Sequence, residues 1–200
     1  MIVLKSDSNS IAIAAKELVA GKVIVVPTDT VYGFSGIIPC SESRIRGIKG
    51  RDEGKPFIRL VSSPQAILSY SDTPIPPKLL EMMPAPLTIV VKLKAEHAVF
   101  SGQTAGFRCP DDSWLCAVID ACGSPIYSTS VNRTGFPLLN SVDEIEKEFG
   151  NKVSLIVKDE NITEDKTVPS TIVEIVQGKC KILRQGKISI PKDLLLCPCD

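Results

Sequence analysis

Between Ser8 and Ala20 the chain carries apolar residues at Ile11, Ala14, Ala15, Leu18 and Val19, a spacing that gathers these five on one side of an α-helix. Gly21 ends that stretch. Lys22–Val26 then runs β-branched up to Pro27, the pattern of a buried strand. Ser41 stands where it caps a helix through Arg44, Ile45 and Ile48. Phe57–Val61 and Leu87–Leu93 read as strands. Pro64–Tyr70 and Pro76–Met83 read as short helices, each with proline near its start. Asp112–Cys122 sets Trp114, Leu115, Val118 and Ile119 along a helix, and Ile126–Ser130 follows as a strand. Ser141-Val-Asp-Glu144 is an S-x-x-E capping box, opening an amphipathic helix that ends at Gly150. Val153–Val157, Thr171–Val176 and Lys181–Leu183 complete the strands. Helix and strand signals alternate, which predicts an α/β fold on a mixed sheet. Proline and glycine are spread out rather than gathered in a linker. One domain over 1–190 is expected, with 191–200 as a short C-terminal tail.

Composition changes this picture mainly through where it puts charge. Apolar residues make up 44% of the 200 and charged residues 23%, as in ordinary folded domains. Lysine plus arginine and aspartate plus glutamate are both 23, so the formal charge is zero. Nucleic acid or an anionic surface would therefore have to be held by a local patch. The longest apolar runs fall far short of the ~20 residues that cross a bilayer, and the first residues lack the basic start and apolar core of a secretory signal. No membrane partner is expected. Seven cysteines at 40, 109, 116, 122, 180, 197 and 199 form no disulfide framework, which suits a reducing, cytoplasmic setting. Cys197-Pro198-Cys199 is their one tight pair, and with a single histidine in the chain it does not make a zinc site.

Locally the charge is uneven. Arg44–Arg59 holds six basic residues (44, 46, 49, 51, 55, 59) and two acidic ones (52, 53), a net of +4. Asn140–Asp165 holds eight acidic residues and three lysines, a net of −5, and reads as a solvated face with its loop. The basic stretch is interrupted by Gly47, Gly50 and Gly54, where the backbone can come close to a ligand while lysine and arginine offer donors to phosphate. Neither a P-loop nor a GxGxxG dinucleotide fingerprint is present. A catalytic triad would need His97, which sits in a charged stretch with no nucleophile motif around it.

Four segments stand out instead: Pro27-Thr-Asp-Thr-Val-Tyr-Gly33 after a strand, Lys49-Gly-Arg51 through Lys55-Pro56, Ser128-Thr-Ser130-Val-Asn132 at a strand end, and Ser170-Thr171 with Leu183-Arg184-Gln-Gly186. They form a hydroxyl- and cation-rich set at strand ends, where α/β sheets usually bind ligands. With Pro84-Ala85-Pro86-Leu87-Thr88 and Arg108-Cys109-Pro110, they match in order the motifs P-T-(D/E)-T-V-Y-G, K-x-R, P-G-P-x-T, R-x-P, S-x-N, S-T and L-R-x-G. From about Ile11 to Ile190 the chain thus resembles the YrdC family of threonylcarbamoyl-AMP synthases, in its short form. It departs from the pattern at Asp52 (often Pro), Ala85 (usually Gly) and Val131 (usually Ala).

The resemblance implies a single-domain, open, twisted mixed α/β sheet with a concave ligand-binding face. It implies an enzyme that makes threonylcarbamoyl-adenylate and pyrophosphate from ATP, L-threonine and bicarbonate, with Mg²⁺. Downstream proteins would pass the threonylcarbamoyl group to tRNA. In that chemistry charge grows on phosphate oxygens, so cationic donors matter more than a nucleophile. Lys49, Arg51, Ser130 and Asn132 are the expected catalytic set, with Lys55 and Arg184 joining Arg51, Ser130 and Asn132 on ATP. Thr30, Arg108 and Ser170 are expected to hold threonine, supported by Thr28 and Tyr32. An alternative is a non-catalytic module that binds tRNA or double-stranded RNA on the same scaffold. A third reading, carbamoyl-adenylate formation as in hydrogenase-maturation proteins, belongs to longer chains with zinc-finger-like cysteines.

Overall fold

Every side chain of Val23-Ile-Val-Val26 is buried, because strand β2 (Ile24–Val26) lies in a sheet covered on both faces. A computed structural model describes residues 1–52, 54–161 and 169–196. Val23 and Val25 enter one core with Phe34, Ile45, Ile145 and Phe149, while Ile24 and Val26 enter another with Ala14, Leu18, Leu115 and Val118. The period of two along the strand thus decides which helices it meets. Helices α1 (Ser10–Val19) and α2 (Glu42–Lys49) follow in the first part of the chain. Two short helical turns, α3 (Ile67–Tyr70) and α4 (Pro77–Leu80), precede α5 (Ser113–Cys122) and α6 (Val142–Phe149). α1 and α5 cover one face and are tied together by Trp114 Nε1, which donates to Ser10 Oγ at 2.8 Å. α2 and α6 cover the other, where Phe34 and Phe149 meet edge to face with ring centres 5.0 Å apart. Burying one such ring contributes about 1.5–3 kcal/mol.

The other strands are β1 (Ile2–Leu4), β3 (Gly33–Ile37), β4 (Ile58–Leu60), β5 (Leu87–Lys92), β6 (Thr104–Arg108), β7 (Ile126–Ser130), β8 (Leu155–Lys158), β9 (Thr171–Val176) and β10 (Lys179–Arg184). They form one ten-stranded open sheet in the order β1-β8-β2-β3-β7-β4-β6-β5-β9-β10. Parallel pairs, such as β5 with β9, stand among antiparallel ones, such as β3 with β7, so the sheet is mixed. A third core surrounds β5, β6 and β9, where Leu87, Ile89, Phe107 and Val173 pack with Ile67, Leu79 and Leu194.

Three strands carry no clear signal in the sequence. β1 is three residues long, and β3 and β6 are interrupted by Gly33, Gly36 and Gly106, which weaken strand propensity. Gly36 has a packing reason: a Cβ there would lie 2.3 Å from Ser41 Cβ, because α2 presses its first turn onto β3. Two expected caps differ. The Ser41 hydroxyl donates to the Gly21 carbonyl at 3.3 Å instead of capping its helix, and Ser141 makes no side-chain cap bond. Asp112 does cap, accepting the Leu115 amide at 3.0 Å.

The described part of the C-terminal stretch is fastened down. Leu194 is buried and the Leu196 amide donates to the Cys180 carbonyl at 3.0 Å. The Cys197-Pro198-Cys199 pair lies outside the described residues. The five described cysteines are free thiols. Among the described residues no helix is long and apolar enough to cross a membrane.

Candidate active site

The end of β2 starts the site. After Pro27 the chain turns sharply, and the buried Thr28 hydroxyl organises the turn. It donates to the Val31 carbonyl at 2.7 Å, accepts the amides of Thr30 and Val31 at 3.1 and 3.2 Å, and shares a 3.0 Å bond with the Thr30 hydroxyl. This turn forms one wall of a cleft of about 510 Å³. Ile58 and Leu60 of β4 line it and also touch the α1–α5 core, so the cleft is cut into that face of the sheet. Ser128, Thr129 and Ser130 bring the end of β7, Arg108 the end of β6, Ser170 the start of β9, and Arg184 the end of β10.

Three guanidiniums therefore share one hollow. Arg51 donates to the backbone oxygens of Lys55 and Pro56 at 3.1 and 3.0 Å and stacks on the Phe57 ring, 5.2 Å from its centre. Arg184 donates twice to the Ser170 carbonyl, at 3.1 and 2.9 Å, and to its hydroxyl at 3.2 Å. That hydroxyl also bonds Thr88 at 2.9 Å. Arg108 donates to Thr30 Oγ1 at 3.1 Å and pairs with Asp29. Partial burial lowers the pKa of both Arg51 and Arg184, helped by Arg46 beside the first and Arg108 beside the second.

The remaining expected residues are placed differently. Lys49 is 3% exposed, and its ammonium donates to the Ser130 carbonyl and, at 2.9 Å each, to the Asn132 carbonyl and Oδ1. Burial, reinforced by Arg51, lowers its pKa to about 8. Asn132 is fully engaged: Oδ1 also accepts the Ser130 hydroxyl at 2.7 Å, and Nδ2 donates to the carbonyls of Arg133 and Phe136 at 3.0 and 2.8 Å. Lys49 and Asn132 thus fasten Ser130 and the loop behind it, standing beneath the cleft wall. Lys55 is exposed, outside the lining. Tyr32 lies in the core under α2 and α6, where its hydroxyl accepts the Asp159 amide at 3.3 Å.

Two departures from the motif pattern are accommodated. Val131 is buried in that same core, on the side away from the cleft, and Asp52 is exposed while its backbone oxygen accepts Arg46 at 2.6 Å. The structure adds Asp29, Phe57 and Leu138. For Asp29 the signal was an acid between two threonines in a strand-end turn; Phe57 and Leu138 carried none.

Comparison with known proteins agrees with this architecture. Residues 16–186 match the Sua5/YciO/YrdC family model, described as "Telomere recombination". The chain is 30% identical to the threonylcarbamoyl-AMP synthase of Rattus norvegicus over 191 residues, covering 90% of this chain and 68% of that protein. It is 31% identical to that of Vibrio campbellii over 183 residues, covering 86% and 96%. Its fold superposes on the crystal structure of P. abyssi Sua5 complexed with L-threonine with a TM-score of 0.81 at 25% identity. That match covers 93% of this chain but only 57% of the Sua5 chain. With its family model matched over residues 16–186 and relatives of 30% identity or more spanning most of its length, the chain belongs to the Sua5/YciO/YrdC family.

Proposed function

We propose that the chain is an L-threonylcarbamoyladenylate synthase, a nucleotidyl-transferring enzyme. ATP, L-threonine and bicarbonate give threonylcarbamoyl-AMP, pyrophosphate and water, and the adenylate serves tRNA modification in the cytoplasm. The observation that carries this reading is the convergence of Arg51, Arg108 and Arg184 with the hydroxyls of Thr30, Ser130 and Ser170 in one cleft. The threonine amine captures carbon dioxide as a carbamate, whose oxygen attacks the α-phosphorus while pyrophosphate leaves. The growing charge on phosphate oxygens calls for fixed cationic donors, supplied by Arg51 and Arg184, with the Ser130 hydroxyl turning from Asn132 Oδ1 to serve as a neutral donor. Arg108, Thr30 and Ser170 take the threonine end. Lys49 and Asn132 act by holding Ser130 in place, and Lys55 approaches the triphosphate from outside the cleft. This reading brings Mg²⁺ in on ATP itself.

The test is pyrophosphate release from ATP. It should require threonine and bicarbonate together. Release that ignores threonine would overturn the reading. The RNA-binding alternative is weaker, because the +4 stretch is not an open basic face. Lys49 is buried, Arg46 and Arg51 donate to carbonyls of their own loop, and Arg59 stacks on Phe107 at 5.7 Å.

A further inference from the structure

The three guanidiniums of the cleft are not equivalent. Arg51 and Arg184 rest on backbone and hydroxyl oxygens, and among the described residues neither has a carboxylate partner. Arg108 does have one, since its Nη2 is bound by Asp29 Oδ1. Both side chains are more than nine-tenths buried, at 7% and 8% exposure, so salt and water screen the pair little. The second Asp29 oxygen accepts the Asp111 amide at 3.3 Å, which fixes the carboxylate against the β6–α5 connection. Meanwhile Arg108 Nε is buried without a partner.

This arrangement sorts anions by charge. At Arg51 and Arg184 an entering phosphate meets cations with no carboxylate partner among the described residues. At Arg108 it meets a neutral ion pair that still offers directed donors, but little net attraction to repay stripping water from a highly charged group. A monocarboxylate gives up less hydration and is matched by the planar guanidinium together with Thr30. We infer that Asp29 is a specificity-determining residue, whose carboxylate neutralises Arg108 and so confines the triphosphate to the Arg51–Arg184 side, reserving the Arg108–Thr30 end for the carboxylate of the amino-acid substrate. This rests on the synthase reading.

The test is calorimetric titration of the whole chain with L-threonine, with and without methylenediphosphonate, a pyrophosphate mimic that is not consumed. In the wild type the two should bind together, and saturating mimic should leave the threonine Kd within about 2-fold. In Asp29→Asn the uncompensated Arg108 should accept the mimic, raising the apparent threonine Kd at least ~10-fold at the same concentration. Asp29→Glu, which keeps the charge, should restore independent binding. A loosened fold weakens both ligands and does not create competition between them. Displacement of threonine by the mimic in the wild type would overturn the inference without any variant. Independent binding in Asp29→Asn, or in Asp29→Ser where the first does not fold, would overturn it while leaving the synthase reading intact. A wild type that binds the mimic but no threonine would overturn both.

Discussion

Replacing Lys49 by Met tests whether this ammonium holds the protein or holds the nucleotide. Met keeps the stem and removes the charge, leaving the Ser130 carbonyl and both Asn132 oxygens without their shared donor. A hydrogen bond from a charged donor contributes about 1.5–3 kcal/mol, so three give a gross loss of roughly 5–9 kcal/mol. Against this, a pKa near 8 rather than 10.5 means that burial and the nearby Arg51 together weigh on the charged form by about 3 kcal/mol, a cost the variant avoids. The net expectation is a destabilisation of about 2–6 kcal/mol. In a chain of this size that lowers the Tm by roughly 4–24 °C. Thermal unfolding by circular dichroism reads the effect, with ATP and threonine kinetics measured well below the transition. A Tm within about 2 °C of the wild type, combined with a large loss in kcat/KM for ATP, would refute the argument. It would mean that the ammonium leaves Ser130 and Asn132 to meet phosphate.

Arg51→Ala should lower the rate of pyrophosphate release at least ~10-fold without a comparable loss of stability, and unchanged kinetics would remove Arg51 from the phosphate end. Gly36→Ala puts a methyl 2.3 Å from Ser41 Cβ and should cost about 1–3 kcal/mol or more in urea unfolding, since α2 must back away from β3. The lowered Lys49 pKa also sets a pH dependence. Between about pH 8 and 10.5 the unfolded chain binds the proton more tightly than the folded one, so the contribution of this residue to stability should rise with pH. That slope should be missing in Lys49→Met, and equal slopes in the two proteins would count against a buried, depressed lysine.

Where pattern and packing agree, the elements were readable from the residues. β7 and β9 occupy the predicted Ile126–Ser130 and Thr171–Val176, because each is a β-branched or hydroxyl-rich run bounded by turn residues. β3 and β6 escaped because their glycines answer to neighbours, with Gly36 meeting α2 and Gly106 meeting Thr88. The site divides the same way. Arg51, Arg108, Ser130 and Arg184 were visible as motif residues, since strand-end cations and hydroxyls announce a ligand. The fastening of Ser130 by Lys49 was not visible, as it joins residues 81 apart in the chain, nor was the Asp29–Arg108 pair, 79 apart. Thr28 and Tyr32 read as supports of the threonine pocket, yet at the entry to β3 the Tyr32 ring turns into the core beneath α2 and α6. Short-range reading finds which residues carry charge and cannot say which oxygens will meet it.

The cleft draws on β2, β4, β6, β7 and β10, with its last guanidinium at residue 184. During synthesis, no ligand pocket exists until nearly the whole domain has left the ribosome and the final hairpin has docked. On the synthase reading, a nascent or truncated chain therefore has no half-built cavity in which to trap ATP. Conversely, nucleotide at a hundred times its Kd would stabilise only the completed form, by about 2.7 kcal/mol, so cellular ATP itself would act as a checkpoint on finished folding.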